Sequence, residues 1–69
     1  MNIKEKVGAR LKSLREQKKL SQEHFAQLCG LDRTYISSVE SGKRNISLVN
    51  IEKICTTLNI SISEFFKVI

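Results

Sequence analysis

Ser21-Gln22-Glu23-His24-Phe25-Ala26-Gln27-Leu28-Cys29-Gly30-Leu31-Asp32-Arg33-Thr34-Tyr35-Ile36-Ser37-Ser38-Val39-Glu40-Ser41 is the stretch that decides the fold. It reads as two short helices around one bend. Ser21 can cap the first, with Glu23 in the opening turn and Phe25, Ala26, Leu28 and Cys29 as its apolar content. Gly30 stands where a left-handed residue would close that helix. Asp32 then caps a second helix that runs to about Ser41 and stops at Gly42. Ala26 is small where two backbones would approach, and Ile36 and Val39 form the inner face of the second helix. This spacing is that of a helix-turn-helix, whose second helix enters the major groove of DNA. A plain helical hairpin would share part of it.

The flanking sequence has the same period. Ile3, Val7, Leu11 and Leu14 fall on one stripe at about 100° per residue, with Lys4, Lys6, Arg10, Lys12 and Arg15 around it. This first helix is expected to end near Lys18–Lys19, where cations suit the negative end of the helix dipole. Ser47 opens a fourth helix with Leu48, Ile51, Ile54, Cys55 and Leu58 on one arc. Ser61-Ile62-Ser63-Glu64 has the form of a capping box before a last short helix carrying Phe65 and Phe66. Strand-like alternation is absent, as is proline. The expected architecture is all-α, with five helices in a single domain spanning residues 1–69.

Composition narrows the function. The chain has 69 residues, twelve Lys+Arg against seven Asp+Glu, a formal charge of +5 and 41% hydrophobic residues. Such an excess on so short a chain favours a polyanionic partner. Residues 1–19 hold seven bases and two acids, so the whole excess lies there and the remainder is neutral. No apolar run approaches the roughly 20 residues that cross a bilayer, and residues 1–20 carry charges where a signal peptide needs an apolar stretch. The expected location is the cytoplasm, where Cys29 and Cys55 are reduced and serve as small core residues. Asn45-Ile46-Ser47 and Asn59-Ile60-Ser61 then match the glycosylation pattern by accident.

An enzyme is not expected. The one histidine, His24, has no paired carboxylate or nucleophile beside it. His24 and Cys29 are five apart and off a common helix face, which argues against zinc. Gly42-Lys43 lacks the rest of a phosphate loop, since Ser37 holds the earlier glycine position and Arg44 replaces the hydroxyl. No catalytic residue, metal or cofactor is assigned.

The outward face of the second helix carries the chemistry. Stepping about 100° per residue from Arg33 puts Thr34, Ser37 and Ser38 on its side and Tyr35, Ile36 and Val39 on the other. That face is one guanidinium and three hydroxyls, with no carboxylate. An arginine at a helix start can bond the O6/N7 edge of guanine, and hydroxyls can meet base edges or phosphates. Gln22 is placed to clamp a phosphate from the preceding helix, and Lys43, Arg44 and Asn45 follow in a loop that could lie along the backbone.

At these residues the sequence resembles a known family. Leu20-Ser21-Gln22-Glu23-His24-Phe25-Ala26, Gly30-Leu31-Asp32-Arg33-Thr34-Tyr35-Ile36-Ser37 and Val39-Glu40-Ser41-Gly42-Lys43-Arg44 look like the lambdoid-repressor and Cro type of helix-turn-helix domain. More narrowly, Asp32–Ser37 followed by Arg44-Asn45-Ile46-Ser47-Leu48 and Asn50-Ile51 resembles the controller proteins of restriction–modification systems. The resemblance implies a symmetric dimer on an operator upstream of its own gene, regulating itself and the endonuclease gene. It implies Arg33, Thr34, Ser37 and Ser38 as the base-facing set and Gln22 as the phosphate clamp. Tyr35 is left with two roles, touching the DNA backbone or supporting the recognition helix. Arg15 and Glu40 match a structural ion pair joining the first helix to the recognition helix. Expected partners are a double-stranded operator, a second copy of the chain and, for activation, RNA polymerase. A phage-type repressor, or an antitoxin acting mainly on a protein partner, is the alternative.

Self-association has support in the residues themselves. Val49 lies outside the apolar arc of the fourth helix, and Ile62, Phe65, Phe66, Val68 and Ile69 are too many for one face of a single-turn helix. The expected interface is Val49, Ile62 and Phe66, with Phe65 in the core; frayed ends exposing a few apolar groups are the bland alternative. A twofold dimer would set its recognition helices about 34 Å apart, one turn of DNA.

Overall fold

Polar caps start most of the helices. The computed structural model describes residues 1–69 as α1 (Ile3–Gln17), α2 (Gln22–Cys29), α3 (Arg33–Glu40), α4 (Leu48–Leu58) and α5 (Ile62–Phe66). Ser21, Ser47 and Ser61 accept hydrogen bonds from the backbone N–H of His24, Asn50 and Glu64 at 3.0, 3.1 and 2.9 Å. The reciprocal box forms at Asn2 and Glu5 instead of Ser61 and Glu64, where only the serine half is made. Asp32 takes the N-cap backbone conformation without a side-chain bond, so α3 presents unfilled N–H groups toward solvent. Gly30 ends α2 at φ 72° and Asn59 ends α4 at φ 59°, both left-handed.

The core is a single cluster in which α3 packs on α1 and α2, and α4 packs on α2 and α5. Phe25, Ile36, Val39, Leu11, Ile54, Leu58 and Phe65 are fully buried at its centre. Cys29 and Cys55 are free and buried in it, and burial pushes both thiols above their ordinary pKa.

Three apolar expectations need correction. Ile3 and Leu48, the first residues of α1 and α4, are 59% and 83% exposed. Leu28 is also exposed, since Phe25, Ala26 and Cys29 already define the buried face of α2. On α1 the buried set is Val7, Gly8, Leu11 and Arg15. Gly8 is the crossing point of α1 over α3. A Cβ there would collide with the carbonyl oxygen of Val39 and lie 2.8 Å from that of Glu40. Glycine in a helix costs about 1 kcal/mol relative to alanine, and here it lets two backbones touch.

Candidate nucleic-acid interface

The helix-turn-helix is held from beneath by a buried polar network. Arg15 on α1 donates through Nε to Glu40 Oε2 at 2.7 Å and through Nη2 to Oε1 at 3.0 Å. Its remaining arm donates to the Leu20 carbonyl at 2.6 Å, at the entrance to α2. The Glu40 side chain is only 3% exposed, so the pair is two charges withdrawn from water, and the bidentate geometry makes that tolerable. The hydrogen bonds that Arg15 donates to Glu40 raise the Arg15 pKa, against a smaller opposing effect of burial. Gln22 at the start of α2 donates to Glu40 Oε1 at 3.0 Å. One carboxylate thus ties α1, α2 and α3 together and fixes the angle between the two helices of the motif.

This network sets out Gln22 in a particular way. An amide nitrogen carries two donors. One is spent on Glu40, and the half-buried side chain has the other left beside the open end of α2.

On α3, Arg33 and Thr34 are exposed in the first turn, and Ser37 and Ser38 are half-buried one turn on. The ion pairs of the chain are Arg15–Glu40 and a looser Arg10–Glu64, so Arg33 carries an uncompensated charge. Ser38 Oγ donates to the Tyr35 carbonyl at 2.8 Å and accepts from Arg44 Nε at 3.3 Å. Its single hydroxyl hydrogen is therefore committed within the protein, leaving one lone pair for anything else. The Arg44 guanidinium also lies 4.9 Å from the centroid of the Tyr35 ring, in cation–π contact. Tyr35 is half-buried, and its hydroxyl is enclosed without a hydrogen-bond partner. Backbone bonds from Gly42 to Val39 and from Lys43 to Ser38, both 3.0 Å, fold the loop back over the end of α3. Lys43, Arg44 and Asn45 are all exposed along it.

The sequence-predicted residues thus form two groups. Gln22, Arg33, Thr34, Ser37, Ser38, Tyr35 and Arg44 belong to one connected surface around α3 and its supports. Val49, Ile62 and Phe66 lie elsewhere, around a shallow depression of about 370 Å³ that also includes Leu48, Ile51 and Glu52. Val49 and Ile62 are 63% and 46% exposed, Phe66 is half-buried, and Phe65 fills the core. Sequence reasoning missed the coupling of Ser38 to Arg44, which only the folded-back loop creates. It also missed Gly8, whose signal was present as a lone glycine inside a helical pattern.

No group of His, Cys, Asp and Glu is arranged to hold a metal, and no helix is long and apolar enough to cross a membrane. Comparison with known proteins agrees with this geometry. Residues 11–65 match the family HTH_3, described as helix-turn-helix. The control protein C.MunI from a Mycoplasma species is 58% identical over 66 residues, covering 94% of this chain and 89% of that protein. The control protein C.BamHI from Bacillus amyloliquefaciens is 47% identical over 60 residues, covering 86% and 74%. Among solved structures, the restriction–modification controller protein C.AhdI from Aeromonas hydrophila superposes with a TM-score of 0.88 at 54% identity, covering 91% of each chain.

Proposed function

The chain belongs to the helix-turn-helix family HTH_3, as a DNA-binding regulator of the controller type, and from that premise we propose that it is the controller of a restriction–modification system. It binds an operator upstream of its own gene as a symmetric dimer, regulates its own transcription and sets expression of the endonuclease. The observation that carries this reading is the uncompensated Arg33–Thr34 face of α3, which the Arg15–Glu40–Gln22 network supports from beneath.

In this reading Arg33 reads a guanine edge, and Thr34 and Ser37 contact neighbouring base edges or thymine methyl groups. Ser38 faces the same groove with its one free lone pair, and its larger effect is to hold Arg44. Gln22 clamps a phosphate with its second amide hydrogen, next to the open N–H groups of α2. Lys43, Arg44 and Asn45 follow the backbone, and Tyr35 supports the helix by stacking beneath Arg44 rather than reaching the DNA. Val49, Ile62 and Phe66 meet their copies across the twofold axis. Activation would add a contact with RNA polymerase, the third partner.

The charge concentrated in residues 1–19 has a reduced role here. Arg15 is paired with the Glu40 carboxylate and Arg10 spends its donors on backbone carbonyls, so the side chains of this segment free to meet phosphates are Lys4, Lys6, Lys12, Lys18 and Lys19. Footprinting on DNA upstream of the gene tests the proposal. Two protected, symmetric half-sites are expected. Uniform protection of any sequence, or none, would refute it.

A further inference from the structure

The last helix is too short to hold its own orientation. Five residues make about one turn, and an isolated turn is unstable in water because nucleation is unfavourable. Two contacts hold it most firmly. One is Phe65, whose side chain is in the core. The other comes from α1: Arg10 Nε donates to the Phe65 carbonyl at 2.9 Å, and Nη2 donates to the Glu64 carbonyl at 2.9 Å. These are carbonyls of a last helical turn: that of Glu64 also accepts from the Lys67 N–H at 3.3 Å, and a planar guanidinium fork suits two of them at once. The Glu64 carboxylate adds only a loose contact at 3.9 Å.

Ile60, Phe66 and Ile69 also pack, partly buried, against the core, but apolar contacts are non-directional, and the fork from α1 is what fixes the rotation of α5 on it. The side chains whose direction is thereby fixed are Ile62 and Phe66, beside Val49 on α4. Phe66 is further held by edge-on packing against Phe65, with ring centroids 5.1 Å apart. We propose that Arg10 is a positioning residue for self-association: it locks α5 so that Ile62 and Phe66 meet a second copy of this chain. This rests on the dimer reading above. It also spends Arg10 donors within the protein, so that this guanidinium is not free to bond a phosphate, although it sits in the most basic part of the sequence.

Analytical ultracentrifugation of the full chain and of Arg10→Met, Arg10→Lys and Ile62→Asp tests it. Arg10→Met is expected to weaken the dimer by about tenfold, as loss of two charge-assisted hydrogen bonds at a partly buried edge would. Arg10→Lys, with one point donor in place of the fork, should lie between it and the wild type. Two copies joined in one chain by a flexible linker supply a readout that a DNA contact would not match. Linked Arg10→Met should bind operator as tightly as linked wild type, with the same salt dependence. Dimerisation of Arg10→Met at wild-type strength, while Ile62→Asp is monomeric, would overturn the inference and leave the dimer reading intact. Weaker binding by the linked variant with a shallower salt slope would instead make Arg10 a phosphate contact. A wild-type chain that stays monomeric at all concentrations would overturn the dimer reading and the inference together.

Discussion

Gly8→Ala is expected to destabilise the protein even though alanine is the better helix former. At an exposed helical site the exchange would gain about 1 kcal/mol. At Gly8 the new methyl group collides with the Val39 carbonyl oxygen and comes within 2.8 Å of the Glu40 oxygen and 3.0 Å of its carbon. All three are backbone atoms, so no rotamer change relieves the overlap. The helices must part by on the order of 1 Å, a gap that already forfeits about a quarter to a half of each dispersion contact across it. Overpacking of a tight contact costs about 1–3 kcal/mol, and the separation also stretches the Arg15–Glu40 bonds just beyond it. The net expectation is a loss of about 2 kcal/mol, which lowers Tm by about 8–16 °C in a domain of this size. Thermal and urea unfolding followed by circular dichroism measure it. Ala9→Gly, at the exposed neighbouring position, gives the baseline for propensity alone, a loss of about 0.5–1 kcal/mol. A Gly8→Ala protein as stable as the wild type, or more so, would refute the close-approach argument.

Two further perturbations probe the interior. Arg15→Met strands the Glu40 carboxylate in a site that is 3% exposed, so urea unfolding should show a loss of about 3–5 kcal/mol; the double variant Arg15→Met/Glu40→Leu should recover most of it. Equal instability of the double variant would mean that the pair matters for packing and not for charge. The buried thiols predict an alkaline effect. Desolvation raises their native pKa, so the unfolded chain loses its thiol protons first as pH rises. Their contribution is fully present below the ordinary thiol value of about 8.5 and declines above it. Urea midpoints from about pH 7.5 to 10 should therefore fall less steeply in Cys29→Ala/Cys55→Ala than in the wild type. Parallel slopes would contradict this.

Much of the fold was legible because its determinants are local. Ser21, Gly30, Ser47 and Ser61 mark helix ends through their own backbone preferences, and Phe25, Ile36, Val39, Ile54 and Leu58 follow the helical period into the core. Local rules failed at the first residues of α1 and α4, Ile3 and Leu48, which are exposed, since period gives direction but not what lies opposite. They also failed for long-range hydrogen bonds. Nothing around Arg10 indicates that its partners lie 54 and 55 residues away. The pairing of Ser38 with Arg44 depends on the backbone of the loop after α3, which the side chains do not encode in any periodic way. The outward face of α3 was legible because, at about 100° per residue, the arc of Arg33, Thr34, Ser37 and Ser38 is centred opposite that of Tyr35, Ile36 and Val39.

The central claim is that Arg33 reads sequence, and a competition experiment tests it most directly. A duplex selected by the wild-type protein from a random pool is compared with a scrambled duplex at one fixed salt concentration, for the wild type and for Arg33→Ala. Loss of a bidentate guanine contact worth about 1–3 kcal/mol should reduce the ratio of the two affinities by about 5–150-fold, with a much smaller change on the scrambled duplex. An equal loss on both duplexes would make Arg33 a phosphate contact and contradict the account.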